Sequence, residues 1–275
     1  MEDSEKFLDV EGVIGKKNPR LLKVIPGFVI RYLKKVLHQD DLNDIIHNNR
    51  DRYGVDFVDG SLEGFGSKFE AVGLENVPSS GRFIFASNHP LGGLDGLIFM
   101  SVVRKRFPHL KFIVNDLLLN VKNLEPVFIP VNKHGKQSVS YVAAIDKAYA
   151  SDEQILYFPA GLCSRKINGQ ITDLPWHKSF ITKAIKYQRD VIPVYFEGRN
   201  SNFFYNLSNF RKTLGIKANI EMFYLVDEMF KQHKKFIRLY FGKPIPYSTF
   251  DHSKTPAEWA NYVRSEAYAL STKLK

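Results

Sequence analysis

The sequence predicts an α/β fold, a mixed central sheet flanked by helices, with a small N-terminal helical segment. Two observations carry that expectation. Strand-length apolar runs at 83–86, 127–131, 154–158, 191–196 and 236–241 are separated by helix-length runs, the alternation expected of strands buried between helical layers. The first of these runs, FIFA, passes through NHPLGGLDG into a second apolar run, 97–103, which ends in Arg104, Lys105 and Arg106. Helix length and a cationic end suit a helix C-terminus, so the segment reads as strand, loop, helix. In open α/β sheets such loops carry the chemistry.

The elements follow in order. Asn18 and Pro19 open a helix, with proline at its first position. The run RLLKVIPGFVIRYLKKVLHQ then spreads apolar side chains over a broad face opposite Lys23, Arg31, Lys34 and Lys35, and Pro26–Gly27 kinks or splits it. The pattern suits an interfacial helix lying in lipid or an amphipathic helix packed on the protein's own core. A short helix is expected at 40–52. Residues 54–66, rich in glycine and acidic groups, are expected to hold a boundary between a helical segment, 1–64, and an α/β domain, 65–275. Strands are expected at 67–73 and 111–115, a short apolar segment at 117–121, and helices at 138–150, 174–188, 206–214 and 224–232. A terminal helix at 255–274 has Thr255 as cap and Pro256 at its first position.

Composition narrows the function classes. The 275 residues have a formal net charge of +10 and one cysteine, Cys163. No internal disulfide framework is possible, which suits a reducing cytosol. A basic chain seeks anionic partners, but no basic block or nucleic-acid motif is present, so no nucleic-acid partner is expected. The acidic N-terminus lacks a signal-peptide core. No run of about 18 apolar residues exists to span a bilayer. A chain acting on lipid would therefore be cytoplasmic and peripherally bound to the inner face of the cell membrane.

The chemistry-bearing residues are His89 and Asp95. An imidazole can take a proton near neutral pH, and a carboxylate on its other ring nitrogen fixes the tautomer and stabilises the imidazolium. Gly92 and Gly93 let the backbone fold back so that the pair can meet. The same residues also suit a helix cap at Asp95 and a turn histidine at His89. No cluster has metal-ligand spacing.

The segment NHPLGGLDG resembles the Asn-His…Asp block of the glycerolipid acyltransferase superfamily, of the lysophosphatidic acid acyltransferase type. The HPLGGLDG form resembles a bacterial branch that O-acylates lyso-ornithine and lyso-glycine lipids. In the family four residues separate the two side chains, whereas here residues 90–94 make five. The resemblance covers roughly 65–250. It continues through FPAGLCSR, where Phe158, Pro159, Gly161 and Ser164 match a block that contacts the acceptor's phosphate, and through VIPV at 191–194. That block's arginine is replaced by Cys163. Either Arg165 or Lys166 substitutes, or the acceptor carries no phosphate there; the second is preferred.

The resemblance implies His89 as general base, Asp95 as its orienter, and a direct transfer with no cofactor beyond an acyl-thioester co-substrate. The donor would be an acyl carrier protein or coenzyme A thioester and the acceptor a lysolipid. An anionic membrane surface would be the further partner. Substrate-binding candidates are Asn88, Gly92, Gly93, Lys133, Pro159, Gly161, Ser164, Arg165 and Lys178. Lys133 stands where the family has an Asp-Arg pair, and a solvated loop lysine is the alternative. His177 is a weaker rival to His89, and Cys163 has no paired base. A phosphatidic acid-forming acyltransferase and a non-catalytic lipid-binding protein are the competing functions.

Overall fold

The chain is described by a computed structural model over residues 8–115, 121–131 and 139–273. Lys133 and the apolar segment expected at 117–119 lie outside the described residues. The framework is a seven-stranded sheet. Its middle strand, β2 (Phe83–Ser87), is buried at every position. The parallel strands β8 (Asp190–Phe196) and β5 (Gln154–Tyr157) flank it. Beyond β5 come β3 (Leu110–Asn115) and β4 (Phe128–Val131), also parallel. Beyond β8 come β9 (Phe236–Phe241), which is antiparallel to β8, and β1 (Lys68–Val72), which is parallel to β9. The sheet is therefore mixed, as expected, and the C-terminal ends of β2, β5 and β8 share one edge.

Strand periodicity divides the core into two layers. Successive side chains on a strand point to opposite faces. Phe83 and Phe85 accordingly enter one apolar cluster, and Ile84 and Ala86 the other. The first face is covered by α5 (Val55–Phe65) and α6 (Leu94–Arg104), through Val58, Leu62, Ile98 and Phe99. The second is covered by α7 (Val139–Ala150), α8 (Ser179–Tyr187) and α11 (Pro256–Lys273), through Tyr149, Phe180, Ile181, Trp259 and Val263. Burial on both faces is why the central strands read as continuous apolar runs, each large side chain contributing about 1.5–3 kcal/mol. Gly96 lets α6 approach the sheet, since a Cβ there would stand 3.0 Å from Phe112.

Three elements differ from expectation. The 54–66 stretch, expected to hold a boundary, is the helix α5, with Val55, Phe57, Val58, Leu62 and Phe65 buried. Its glycines are sites of close approach: a Cβ at Gly60 or Gly64 would strike Asn49 or Ile45 of the preceding segment. After β5 the chain forms a hairpin, β6 (Arg165–Ile167) and β7 (Gln170–Thr172), closed by Asn168 and Gly169 at φ 49° and 81°, the left-handed pair of a type I′ turn. Between β8 and β9, α9 (Asn202–Thr213) begins earlier than expected because the Ser201 side chain accepts from Phe204 N–H. It is followed by α10 (Leu225–Phe230).

Ahead of the sheet lie α1 (Val10–Lys17), α2 (Pro19–Val24), α3 (Gly27–Val36) and α4 (Gln39–Asn48), with the break at Pro26 as expected. Tyr32 and Tyr224 share a hydrogen bond of 2.9 Å, and His38 stacks on Phe230 at 4.1 Å. These contacts join the N-terminal helices to the α9–α10 segment.

Candidate active site

His89 follows the last residues of β2, and Asp95 sits in the first turn of α6. The imidazole Nδ1 lies 2.9 Å from Asp95 Oδ2. The same oxygen accepts the Leu91 N–H at 2.9 Å and the Gly92 N–H at 3.3 Å, while Oδ1 accepts the Gly96 N–H at 3.0 Å. Gly92 adopts φ 80°, a conformation costly for residues with a Cβ. The turn folds back over the carboxylate, which is fully buried, whereas the His89 side chain keeps 16% of its surface exposed. A carboxylate oxygen accepts hydrogen bonds, so the contact pairs it with an Nδ1–H, and Nε2 makes no hydrogen bond among the described residues. Phe158, at the end of β5, stacks on the imidazole at 4.0 Å and 19°, holding the ring plane.

The main chain of His89 is held as well. Its N–H donates to Asp173 Oδ1 at 3.3 Å, and its carbonyl accepts the Ser164 N–H at 2.7 Å. Ser164 Oγ donates to the same Asp173 oxygen at 2.6 Å, and Trp176 Nε1 donates to the other at 3.0 Å. Burial raises the Asp173 carboxyl above its ordinary range, against the hydrogen bonds from Ser164 and Trp176. Neither Phe158 nor Asp173 was singled out for the site from sequence. Phe158 belongs to the FPAGLCSR block, and Asp173 is 84 residues from His89, whose N–H it accepts.

The other expected site residues fall into distinct places. Asn88 is buried, and its carboxamide is engaged with the end of β8: Nδ2 donates to the Phe196 carbonyl at 3.1 Å and Oδ1 accepts the Phe196 N–H at 2.7 Å. Gly92 and Gly93 lie against α10, since a Cβ on Gly92 would meet Leu225 and one on Gly93 would meet Met229. The Gly92 N–H is committed to Asp95, whereas the Gly93 N–H makes no hydrogen bond among the described residues. Pro159 is buried and its carbonyl accepts the His177 N–H at 3.0 Å. Gly161 is exposed at φ 66°, and Lys178 is exposed at the start of α8.

Arg165 is corrected from an acceptor-binding group to a structural one. Only 1% of it is exposed. Its Nη2 donates to Glu221 Oε1 at 3.1 Å, and its Nη1 donates to the Cys163 carbonyl at 2.8 Å. Glu221 also binds Arg211, at 2.5 Å from Nε, so a buried carboxylate bridges two guanidinium groups. Burial pushes the neighbouring Cys163 thiol up to about 11, with Arg165 opposing it. That keeps the thiol protonated and unreactive.

An imidazole held by a buried carboxylate, at the C-terminal edge of a mixed sheet, is an arrangement able to take a proton from a hydroxyl. Residues 12–275 match the family model described as Acyltransferase, and the chain belongs to that family: it is an acyltransferase. It is 49% identical over 270 residues to a lyso-glycine lipid O-acyltransferase of Bacteroides thetaiotaomicron, covering 98% of this chain and 99% of the relative. It is 47% identical over 270 residues to the protein of the same name in Phocaeicola vulgatus, covering 98% and 97%. The crystal structure of the 1-acyl-sn-glycerophosphate acyltransferase PlsC from Thermotoga maritima aligns with a TM-score of 0.47 at 16% identity, over 80% of this chain and 79% of that one.

Proposed function

We propose that this chain moves a fatty acyl group from an acyl-thioester to the hydroxyl of a lyso-aminolipid, with lyso-glycine lipid as the acceptor. The observation that carries the proposal is the His89–Asp95 pair, whose Nε2 makes no hydrogen bond among the described residues, in a chain similar along nearly its whole length to two relatives that bear that activity in their names. Burial of Arg165 supports an acceptor without phosphate at the FPAGLCSR loop, because the guanidinium nearest the family's phosphate contact is committed to Glu221.

The proposed step is a direct transfer. His89 Nε2 takes the proton from the acceptor hydroxyl while that oxygen bonds to the thioester carbonyl carbon. Asp95 offsets the charge of the imidazolium. The Gly93 N–H, at the positive end of α6, stabilises the oxyanion. The carbon–sulfur bond then breaks, and the departing thiolate recovers the proton from His89. Every proton is accounted for without a cofactor beyond the thioester. Acyl carrier protein and coenzyme A are both anionic donors suited to a chain of net charge +10.

The working position is peripheral, on an anionic membrane at the inner face of the cell. Val24 is 73% exposed, Phe28 65% and Phe223 61%. Half-exposed Tyr32 and Phe203 lie against Tyr224 between them. Lys23, Arg31 and Lys35 supply cations beside these apolar groups. No helix among the described residues is long and apolar enough to cross a membrane. In this proposal helices α1 to α4 serve docking, and the sheet with α5 and the helices that follow serves transfer.

The test incubates purified chain with lyso-glycine lipid or lysophosphatidic acid in anionic vesicles, with acyl carrier protein or coenzyme A thioester as donor. Diacylated glycine lipid is the expected product. Acylation of lysophosphatidic acid alone would replace the acceptor assignment with phosphatidic acid formation, and lipid binding without transfer would make the chain a lipid-binding protein.

A further inference from the structure

The base is gripped twice. Asp95 holds the imidazole, but a second carboxylate, Asp173, holds the main chain of the same residue. Its Oδ1 lies 3.3 Å from His89 N and 2.6 Å from Ser164 Oγ, while Ser164 N lies 2.7 Å from the His89 carbonyl. His89, Ser164 and Asp173 thus close a ring of hydrogen bonds around the main chain of the base. Asp173 is itself anchored: Trp176 Nε1 donates to Oδ2, and its own N–H donates to Tyr268 Oη of α11 at 2.9 Å.

The groups holding the Asp173 carboxylate are a backbone amide, a serine and a tryptophan, none of them a cation. A carboxylate that is 2% exposed and has no lysine or arginine ion pair among the described residues is costly to bury. Ion pairs in this chain do gather around buried carboxylates elsewhere, as at Glu221. The one group beside Asp173 that gains positive charge in the proposed reaction is His89.

We propose that Asp173 is a positioning residue for His89, a second carboxylate that fixes the backbone of the base through Ser164 and favours the imidazolium formed during transfer. Asp95 sets the tautomer and ring orientation, and Asp173 sets where the ring's own backbone stands. The role rests on His89 acting as the base. It also explains Ser164, expected from sequence to touch substrate: its hydroxyl and amide are both engaged in the ring.

Two consequences follow, one steric and one electrostatic. Loosening the main chain displaces Nε2 from the line of attack, and displacement of a catalytic group by about 1 Å costs on the order of a hundredfold in rate. Removing the negative charge makes protonation of the base less favourable, so the acid limb of the pH–rate profile moves to lower pH. The titratable and charged groups around Asp173 are His89, Cys163, Tyr195 and Tyr268, with Arg264 bonded to its carbonyl at 3.3 Å.

The experiment measures kcat, KM for both substrates and the acid limb of kcat/KM in wild type, Asp173→Asn, Ser164→Ala and His89→Ala, with thermal melting as the check on folding. For folded Asp173→Asn, kcat is expected to fall about ten- to hundredfold with both KM values within about twofold of wild type, and the acid limb to move down by about one pH unit. Ser164→Ala keeps the charge, so its kcat should fall without movement of the limb. A folded Asp173→Asn with wild-type kcat and limb overturns the proposal, as does a fall in kcat with an unmoved limb. Should Asp173→Asn not fold, Ser164→Ala decides the positioning role, and a wild-type kcat there overturns it. Loss of transfer in His89→Ala alongside an unaffected Asp173→Asn removes this inference alone; retained transfer in His89→Ala removes the base itself.

Discussion

Glu221→Gln tests the structural assignment of Arg165. In the native fold Glu221 is fully buried and accepts from Arg165 Nη2 at 3.1 Å, from Arg211 Nε at 2.5 Å and Nη2 at 3.1 Å, and from Ser208 Oγ at 3.3 Å. Glutamine conserves shape but removes the charge and turns one acceptor oxygen into a donor facing a guanidinium. Removing one member of a buried ion network leaves the others uncompensated, at a cost of about 3–5 kcal/mol. In a chain of this size that lowers Tm by roughly 10 °C. Burial works to raise the Glu221 carboxyl, but the arginine contacts prevail and hold it below its ordinary value of 4.5. A depressed folded-state value stabilises the protein above about pH 4.5, and that contribution is lost as pH falls through the folded value. The gap in Tm between wild type and Glu221→Gln should therefore be wide at pH 7 and narrow in acid. The assay is a thermal melt across pH, paired with acceptor KM. An unchanged Tm at pH 7 together with a large rise in acceptor KM would refute the reasoning and return Arg165 to the acceptor.

Two further outcomes follow from single contacts. Gly92→Ala places a Cβ at φ 80° and 2.6 Å from Leu225 Cδ2; the flexible leucine can shift, so the expected cost is about 1–2 kcal/mol from the backbone, read by denaturant unfolding, with kcat falling further because the turn over Asp95 is strained. Arg189→Met strips the partner from the carbonyls of Phe83, Ala148, Tyr149, Ser151 and Glu153. It should cost about 3 kcal/mol or more, seen as a lower Tm with both KM values unchanged.

Much of this molecule can be read from its residues, for identifiable reasons. The strands around β2 declare themselves because they are apolar on both faces, and the break between α2 and α3 is written in Pro26–Gly27. The meeting of His89 and Asp95 was legible because six positions and a flexible turn separate them. Helix α5 was obscured by glycines that resemble breakers but serve close packing on Asn49 and Ile45. Arg165 was misassigned because its partner, Glu221, lies 56 positions away in a segment whose packing no local pattern specifies. Phe158 stayed hidden because its place against His89 comes from sheet topology, which brings the ends of β2 and β5 together, and Asp173 because it lies beyond the β6–β7 hairpin, 84 positions from His89.

The most direct measurement is acyl transfer by purified His89→Ala, using an acyl-thioester and lyso-glycine lipid in anionic vesicles, with vesicle binding recorded in parallel. Transfer should fall by at least about a hundredfold while Tm and vesicle binding stay at wild-type levels. Wild-type turnover in the folded variant would contradict the account and move the proton-accepting group elsewhere in the chain.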